Sequence, residues 1–443
     1  MAPCRQIKLG MFLRPAGHHL AAWRHPRSQV DAGVNFRHFV DIAQTAERGL
    51  FDMLFSADSA TANAVFTENG LRRMSYVAWI EPFTLLAALA SVTTHIGLAC
   101  TASTTYEEPF SLARKFASLD HVSGGRAAWN LVTTGNHTAA QNFSRGAHPP
   151  KTQRYQRARE FADVVLGLWD SWDDDAFIRD RESGVYFDPG KMHVLRHAGE
   201  HFNVMGPLNV ARSPQGRPVL VQAGASEEGM VLAAETAEVV FSAAPTLEDA
   251  RSFYSDVKGR MGKFGREADD LKIMPGFFIT VARTRQEAQE KHDYLQSLLH
   301  PEVGLALLEQ RTGLDLSGHD VDGPFPDLPA GEVVSSRATL IRDMAMKDEL
   351  TIRQTWERIA GGRGHFDFHG SPGDVADVME QWFKSGAADG FNIMPPVMPG
   401  GLDDFVDLVV PELQKRGLYR TRYEGPTLRE HLGLKRPVSR YQS

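Results

Sequence analysis

Short apolar runs alternate along the chain with longer stretches whose apolar residues recur every three or four positions. Residues 7–13 open the series as a strand. Phe36–Arg48 follows as an amphipathic helix, because Phe36, Phe39, Val40, Ala43 and Ala46 share one face at helical period. Gly49 is placed to end that helix in a left-handed conformation. The same patterns predict strands over 51–55, 95–101, 127–132, 218–222, 239–242, 273–282 and 390–394. Helices are predicted over 82–92, 109–119, 153–169, 227–236, 247–263, 372–384 and 402–415. Strands that alternate with helices imply βαβ units and a parallel sheet. Eight units make a closed (β/α)8 TIM barrel the expected fold. The alternative is an open doubly wound sheet, whose dinucleotide-binding form lacks its G-x-G-x-x-G signature after the first strand here.

A plain barrel needs only about 250 residues, and the chain has 443. A single domain over 1–443 is therefore expected to carry insertions at about 59–80, 135–151, 170–216 and 285–370. The third should hold a β-like piece at 184–187, and the fourth a mobile Pro/Gly/Asp-rich loop at 317–331 (SGHDVDGPFPDLPAG). The first, second and fourth insertions directly follow strands. They belong over the C-terminal face, where barrel active sites lie and where a cover can exclude water.

Composition narrows the function classes. Hydrophobic residues at 42% and charged residues at 23% fit a folded globular chain, not a disordered one. Lys and Arg number 48 against 55 Asp and Glu, and the net charge of −7 offers no footprint for nucleic acid or an anionic membrane. No apolar run approaches the roughly 18 residues of a membrane span. The start, MAPCRQIKLG, lacks the apolar core of a secretory signal. The only cysteines, Cys4 and Cys100, can build neither a disulfide framework nor a multi-cysteine zinc site, so a cytoplasmic setting is expected.

Candidate chemistry gathers at predicted strand ends. In QAGASEEG (222–229) a strand runs into a small-residue turn, and Ser226 stands where a helix N-cap belongs. Free N–H groups and the helix dipole there favour an anion such as phosphate, although an ordinary capped turn has the same sequence. Tyr155, within KTQRYQR (151–157), lies at a helix start where the dipole disfavours cations, which suits an anionic partner. Asp58 ends the second strand, and Ser103, Thr104 and Thr105 end the third. Asn130 interrupts an apolar strand; a buried amide is costly unless a ligand or neighbouring backbone satisfies it. Phe12 and Phe55 offer an apolar wall. Seventeen histidines include His18, His19 and His25 after the first strand, and His365 and His369 in GGRGHFDFHG. A metal-dependent hydrolase has to be weighed on these, but no H-E-x-x-H occurs and the eighth strand, GFNIMPP, carries no acid. No G-x-S-x-G nucleophile elbow occurs either.

Several segments together resemble one family. They are GHHLAAWRHP (17–26), FDMLFSADS (51–59), residues 81–134, QNFS (141–144), RYQRAREFADVVLGLWDSWDDDA (154–176), residues 201–229 and GGRGHFDFHGSP (361–372). In this order they resemble the flavin-dependent two-component monooxygenases of the bacterial luciferase-like superfamily. The branch is that of nitrilotriacetate, dibenzothiophene-sulfone and long-chain alkane monooxygenases. The resemblance implies a barrel that binds FMN, as FMNH2, at its C-terminal mouth. It implies Asp58 at the ring or ribityl side, Thr104 beside the ring, Asn130 near the reactive edge, Lys151 and Tyr155 flanking phosphate and ribityl chain, and Ser226 on the phosphate. Asn130 and Thr104 are then the catalytic candidates, as preorganised donors. Phe12, His18, His19 and His365 are the substrate-side candidates. Two positions depart from the family pattern: Ser144 stands where Gly is expected, and Lys151 where a polar residue or His is expected.

The implied partners are a separate NAD(P)H-dependent flavin reductase, O2 and a small organosulfur, alkane or aminopolycarboxylate substrate. A homodimer or homotetramer is expected, with no metal. The flavin carries the chemistry, so no side-chain nucleophile is required. Two alternatives stay open at this point: a deazaflavin-dependent oxidoreductase on the same barrel, and a hydrolase with metal on His18, His19, His25 and His365.

Overall fold

The eight apolar runs become eight parallel strands in a computed structural model that describes residues 5–62, 68–144, 146–327 and 336–442. They are β1 (Lys8–Leu13), β2 (Met53–Ser56), β3 (Gly97–Ser103), β4 (Ala127–Val132), β5 (Val219–Gln222), β6 (Val239–Ser242), β7 (Lys272–Val281) and β8 (Gly390–Met394). Each pairs with its successor, β8 pairs with β1, and the ring is closed. Alternate residues serve two cores, as strand periodicity demands. Phe12, Phe55, Ala128, Val221, Phe241, Phe278 and Met394 fill the barrel, whereas Leu9, Met11, Leu54, Leu98, Trp129 and Leu220 pack outward on the helices.

Those helices are α1 (Phe36–Arg48), α2 (Pro82–Ala90), α3 (Pro109–Ser123), α4 (Lys151–Trp169), α5 (Glu227–Thr236) and α6 (Leu247–Arg260). The long insertion after β7 contributes α7 (Arg285–Ser297), α8 (Pro301–Thr312), α9 (Ser336–Lys347) and α10 (Ile352–Ala360), and α11 (Pro372–Lys384) returns to the barrel wall. Leu299, Val303, Leu307 and Trp356 of that insertion share a core with Met74 and Tyr76 from the insertion after β2, so the two form one roof over the C-terminal face. The opposite end is closed by Leu428, Leu432 and Leu434. Beneath them lie two buried ion pairs, Arg420 with Asp52 and Arg429 with Glu238. Among the described residues no helix is long and apolar enough to cross a membrane.

Several expectations need correction. A ninth strand, Phe366–Gly370, pairs with the second half of β7 (Phe366 with Phe277 through Gly370 with Val281). It exists because β7 runs to ten residues and only its first four pair with β6. The piece at 184–187 is not a strand but the end of a turn, where Arg179 N–H donates to Tyr186 O at 3.0 Å. The ladder of that insertion is instead His197–Ala198 with Asn203–Val204. Gly49 has φ −76°, and the left-handed residue is Leu50 at φ 60°. Gly49 is needed for space: a Cβ there would lie 2.7 Å from the Val406 side chain. The closing helix is three pieces, Gly400–Asp404, a π-helical Phe405–Val409 and Val410–Lys415. Pro411 supplies no N–H to the preceding turn, which widens there. Of the loop expected at 317–331, residues 328–331 lie outside the described residues; Pro324 forms a bridge to Thr351.

Candidate active site

A cleft of about 1010 Å³ opens at the C-terminal face. It begins at the turn between β5 and α5 (Gln222, Gly224, Gly229) and crosses the ends of β4 and β3 (Thr133, Thr134, Thr101, Ser103). It reaches Asp58 beyond β2 and continues between α2 and α3.

At the β5 end, three of the expected positions come together. Ser226 is the N-cap of α5: its Oγ accepts the Gly229 N–H at 3.2 Å and lies 3.3 Å from the Tyr155 hydroxyl. Both glycines leave the Tyr155 hydroxyl its room, since a Cβ on Gly229 would stand 3.1 Å from it and one on Gly224 3.5 Å. Lys151, exposed at the start of α4, pairs with Glu228 at 2.8 Å. Tyr155 lines the cleft, and Ser226 and Lys151 stand beside it. The cations of this helix start have other work than an anion. Arg154 donates to the carbonyls of Thr133 and Thr134, both at 2.7 Å, and Arg157 to Thr104 O at 3.1 Å. They tie α4 to the strand ends that form the cleft wall.

Behind Thr101, which lines the middle of the cleft, stands Asn130. It shares the inward face of β4 with Ala128 and is buried. Its Nδ2 donates to Thr101 Oγ1 at 2.8 Å, while its Oδ1 is buried without a partner among the described residues. Thr104 is also buried, but its hydroxyl donates to Val132 O at 3.2 Å, as the Thr105 hydroxyl does to Thr133 O at 3.0 Å. Thr134 adopts φ 40°, a strained left-handed backbone in the cleft wall. Asp58 stands at the cleft's end, where partial desolvation raises its carboxyl above the ordinary range; Glu81 and Glu107 add to this and Arg14 opposes it. Ser144 has φ 56°, which accounts for the glycine expected in its place.

Phe12, His18 and His365 lie around the opposite side of the mouth. Phe12 meets Phe55 and Phe241 edge-on at 5.2 Å each and His18 at 4.5 Å, and His365 stacks on Phe241 at 5.1 Å. His18 Nε2 is 2.8 Å from Phe12 O. A carbonyl only accepts, so Nε2 carries the proton and Nδ1 is bare. That bare nitrogen lies 3.4 Å from Arg363 Nη2. Burial, with Arg363 and Arg14 nearby, holds the His18 imidazole well below its usual range. His19 is turned away from the mouth. Its Nδ1 accepts the Ala21 N–H at 3.1 Å, its Nε2 meets Gln296 Oε1 at 3.1 Å, and burial pushes it down to about 4. His25 accepts the Arg27 N–H at 3.2 Å. Among the described residues no three His, Cys, Asp or Glu side chains gather as metal ligands.

These histidines set a pH dependence. A folded pKa near 4 against an unfolded 6.5 means that the unfolded chain binds the proton first. The stabilisation is complete above about pH 6.5 and is lost as pH falls toward about 4. Urea midpoints should therefore fall between pH 7.5 and 4.5, and His19→Gln should shallow the fall. Parallel profiles for the two proteins would show that His19 does not contribute.

Arg14, Tyr76, Tyr106, Phe143 and Arg363 were not among the residues expected from the sequence. Tyr106 lines the cleft, stacks on Phe143 at 4.6 Å and 5°, and its hydroxyl is 2.6 Å from His148 Nδ1. Arg14 was within reach of the rule that strand C-terminal ends carry function; the contacts of Tyr106 and Arg363 depend on remote loops.

A family model described as Luciferase-like monooxygenase matches residues 17–389. N-acetyl-S-(2-succino)cysteine monooxygenase of Bacillus subtilis (strain 168) is 52% identical over 440 residues, which cover 99% of this chain and 98% of the relative. Nitrilotriacetate monooxygenase component A of Aminobacter aminovorans is 48% identical over 445 residues, covering 99% and 98%. The crystal structure of a riboflavin lyase with modified FMN and riboflavin superposes with a TM-score of 0.84 at 33% identity, over 98% of this chain and 97% of that one.

Proposed function

The chain belongs to the luciferase-like monooxygenase family, and from that premise we propose that it is the oxygenase of a two-component system. It takes reduced FMN from a separate NAD(P)H-dependent flavin reductase and, with O2, oxidises a small organic substrate. A cytoplasmic setting, in which Cys4 and Cys100 stay reduced, goes with this reading. The name component A in one relative and the modified FMN in a solved neighbour both support it.

The observation that carries the reading is one cleft that joins a glycine-lined helix start to Thr101, whose hydroxyl holds the buried Asn130 amide with its oxygen left unpaired. Ser226, Tyr155 and the first N–H groups of α5 would hold the phosphate. Asn130 Oδ1 would accept a ring N–H, and Asp58 would meet the other end of the ring or its ribityl side. When bound, reduced FMN supplies the two electrons with which O2 is activated. The chain's own part is to orient and to exclude water. Thr101 fixes the Asn130 amide, Phe12, Phe55 and Phe241 form an apolar floor, and the two joined insertions cover it. Asn130, through its second Nδ2 hydrogen, is the candidate donor at the reacting edge, whereas the Thr104 hydroxyl gives its one hydrogen to Val132 O and serves to hold the strand end.

The experiment is oxygen consumption with chemically reduced FMN, in the presence and absence of the protein. Reoxidation at the rate of free flavin, or no FMN binding, overturns the reading. Ser226→Ala should weaken FMN by about 1–3 kcal/mol, measured by fluorescence titration. It should also cost about 1 kcal/mol of stability through the lost cap. An unchanged dissociation constant would take Ser226 out of the phosphate site.

A further inference from the structure

Arg14 is the first residue beyond β1, on the C-terminal rim. Its guanidinium carbon lies 5.4 Å from the Phe12 ring, 5.2 Å from Tyr76 and 5.6 Å from Trp79. Tyr76 and Trp79 come from the insertion after β2, and the Tyr76 hydroxyl anchors them by donating to Gly17 O at 2.7 Å. Arg363 comes from the insertion after β7. It lies over the same Tyr76 ring at 5.5 Å, and its Nη2 faces the bare nitrogen of His18. Three segments remote in sequence thus bring two guanidinium groups to one aromatic wall.

No carboxylate lies within salt-bridge distance of either arginine among the described residues, whereas Arg212, Arg420 and Arg429, buried against the same barrel, each have one. The Arg14 Nε is buried and has no hydrogen-bond partner. Asp58, at the adjoining end of the cleft, acts on Arg14 only through space. Aromatic faces attract a cation but accept none of its five N–H donors in the planar fork that fits a carboxylate. Burial and repulsion from Arg363 push Arg14 down to about 10, so a bound anion would relieve both groups. Arg363 is also strained, at φ 49° between Gly362 and Gly364. All this stands in a chain of net charge −7.

The flavin phosphate is not the anion for this site. The phosphate cradle follows β5 and Arg14 follows β1, diametrically opposite positions in a ring of eight strands. Resting on the monooxygenase reading above, we propose that Arg14 and Arg363 anchor the substrate and that the substrate is a small polycarboxylate, one carboxylate on each guanidinium. The aromatic wall of Phe12, Tyr76 and Trp79 then holds the carbon skeleton between them. His18, neutral and proton-bearing on Nε2, is a positioning residue that aims Arg363.

The test is equilibrium binding without turnover, with tricarballylate and its trimethyl ester as probes, read by tryptophan fluorescence and calorimetry. Wild-type protein should bind the acid at least about tenfold more tightly than the ester, the scale of one charge-assisted hydrogen bond. Arg14→Met and Arg363→Gln should each weaken the acid by about tenfold or more and leave FMN affinity alone. Arg14→Lys and Arg363→Lys should recover part of the loss, and they carry the test if the larger changes unfold the protein. Equal binding of acid and ester, no binding of the acid, or a loss confined to FMN overturns the proposal. Failure of FMN to bind while tricarballylate behaves as expected would overturn the flavin reading and leave this one standing.

Discussion

An Asn130→Ala variant is expected to consume O2 with reduced FMN and release hydrogen peroxide in place of oxidised substrate, with coupled turnover down by about 10²- to 10³-fold. Asn130 is the polar interruption in the inward face of β4, and an amide in that position carries a desolvation cost. Half of it is met, since Nδ2 donates to Thr101 at 2.8 Å. The other half is not, because Oδ1 is buried and unpaired. An amide fixed through one Nδ2 hydrogen keeps the second hydrogen and Oδ1 for a ligand, and truncation removes both the donor and the acceptor. The measurement is the ratio of product to peroxide per O2 consumed, beside an FMN titration. Coupling should fall far more than FMN affinity. The reverse, coupled turnover with weakened FMN, would make Asn130 a binding residue alone.

The barrel was legible in the sequence because parallel strands are covered on both faces and appear as unbroken apolar runs. Ala127–Val132, Val239–Ser242 and Gly390–Met394 have the bounds that their patterns set. The strand Phe366–Gly370 was not legible. Its residues are largely half-exposed, and it pairs only because β7 outruns β6, a fact about another part of the chain. The site divides in the same way. Ser226 and Asn130 were marked by local logic, a cap and a misplaced amide. Lys151, Tyr155 and Ser226 meet because two helix starts lie side by side. The arginine cage could not be read locally, since its aromatic wall comes from an insertion with no regular period. His18 and His19 look alike in sequence, yet neighbouring side chains diverge; one faces Arg363 at the mouth and the other Gln296 in the roof.

Cutting the Arg420–Asp52 pair from one side should cost about 3–5 kcal/mol of folding stability, because the charge left behind is buried and uncompensated. The pair is the knot of the closed end. Asp52 Oδ2 accepts the Leu9 N–H at 2.7 Å, its backbone N–H and carbonyl meet Leu9 and Gly97, and Arg420 also donates to His431 O at 2.8 Å. Asp52→Leu would therefore strand a guanidinium, and Arg420→Leu a carboxylate, at the point where β1, β2 and β3 begin. Removing both together should recover most of the loss, because well-packed apolar groups often match a buried ion pair in stability. Urea midpoints for the two single variants and the double variant provide the test. A single-variant cost below about 1 kcal/mol would place water beside the pair and remove its burial from the argument. In the folded fraction FMN affinity should not move, since the pair lies at the opposite end of the barrel from the cleft. A loss of FMN in step with stability would mean that the two ends of the barrel do not hold their shapes independently.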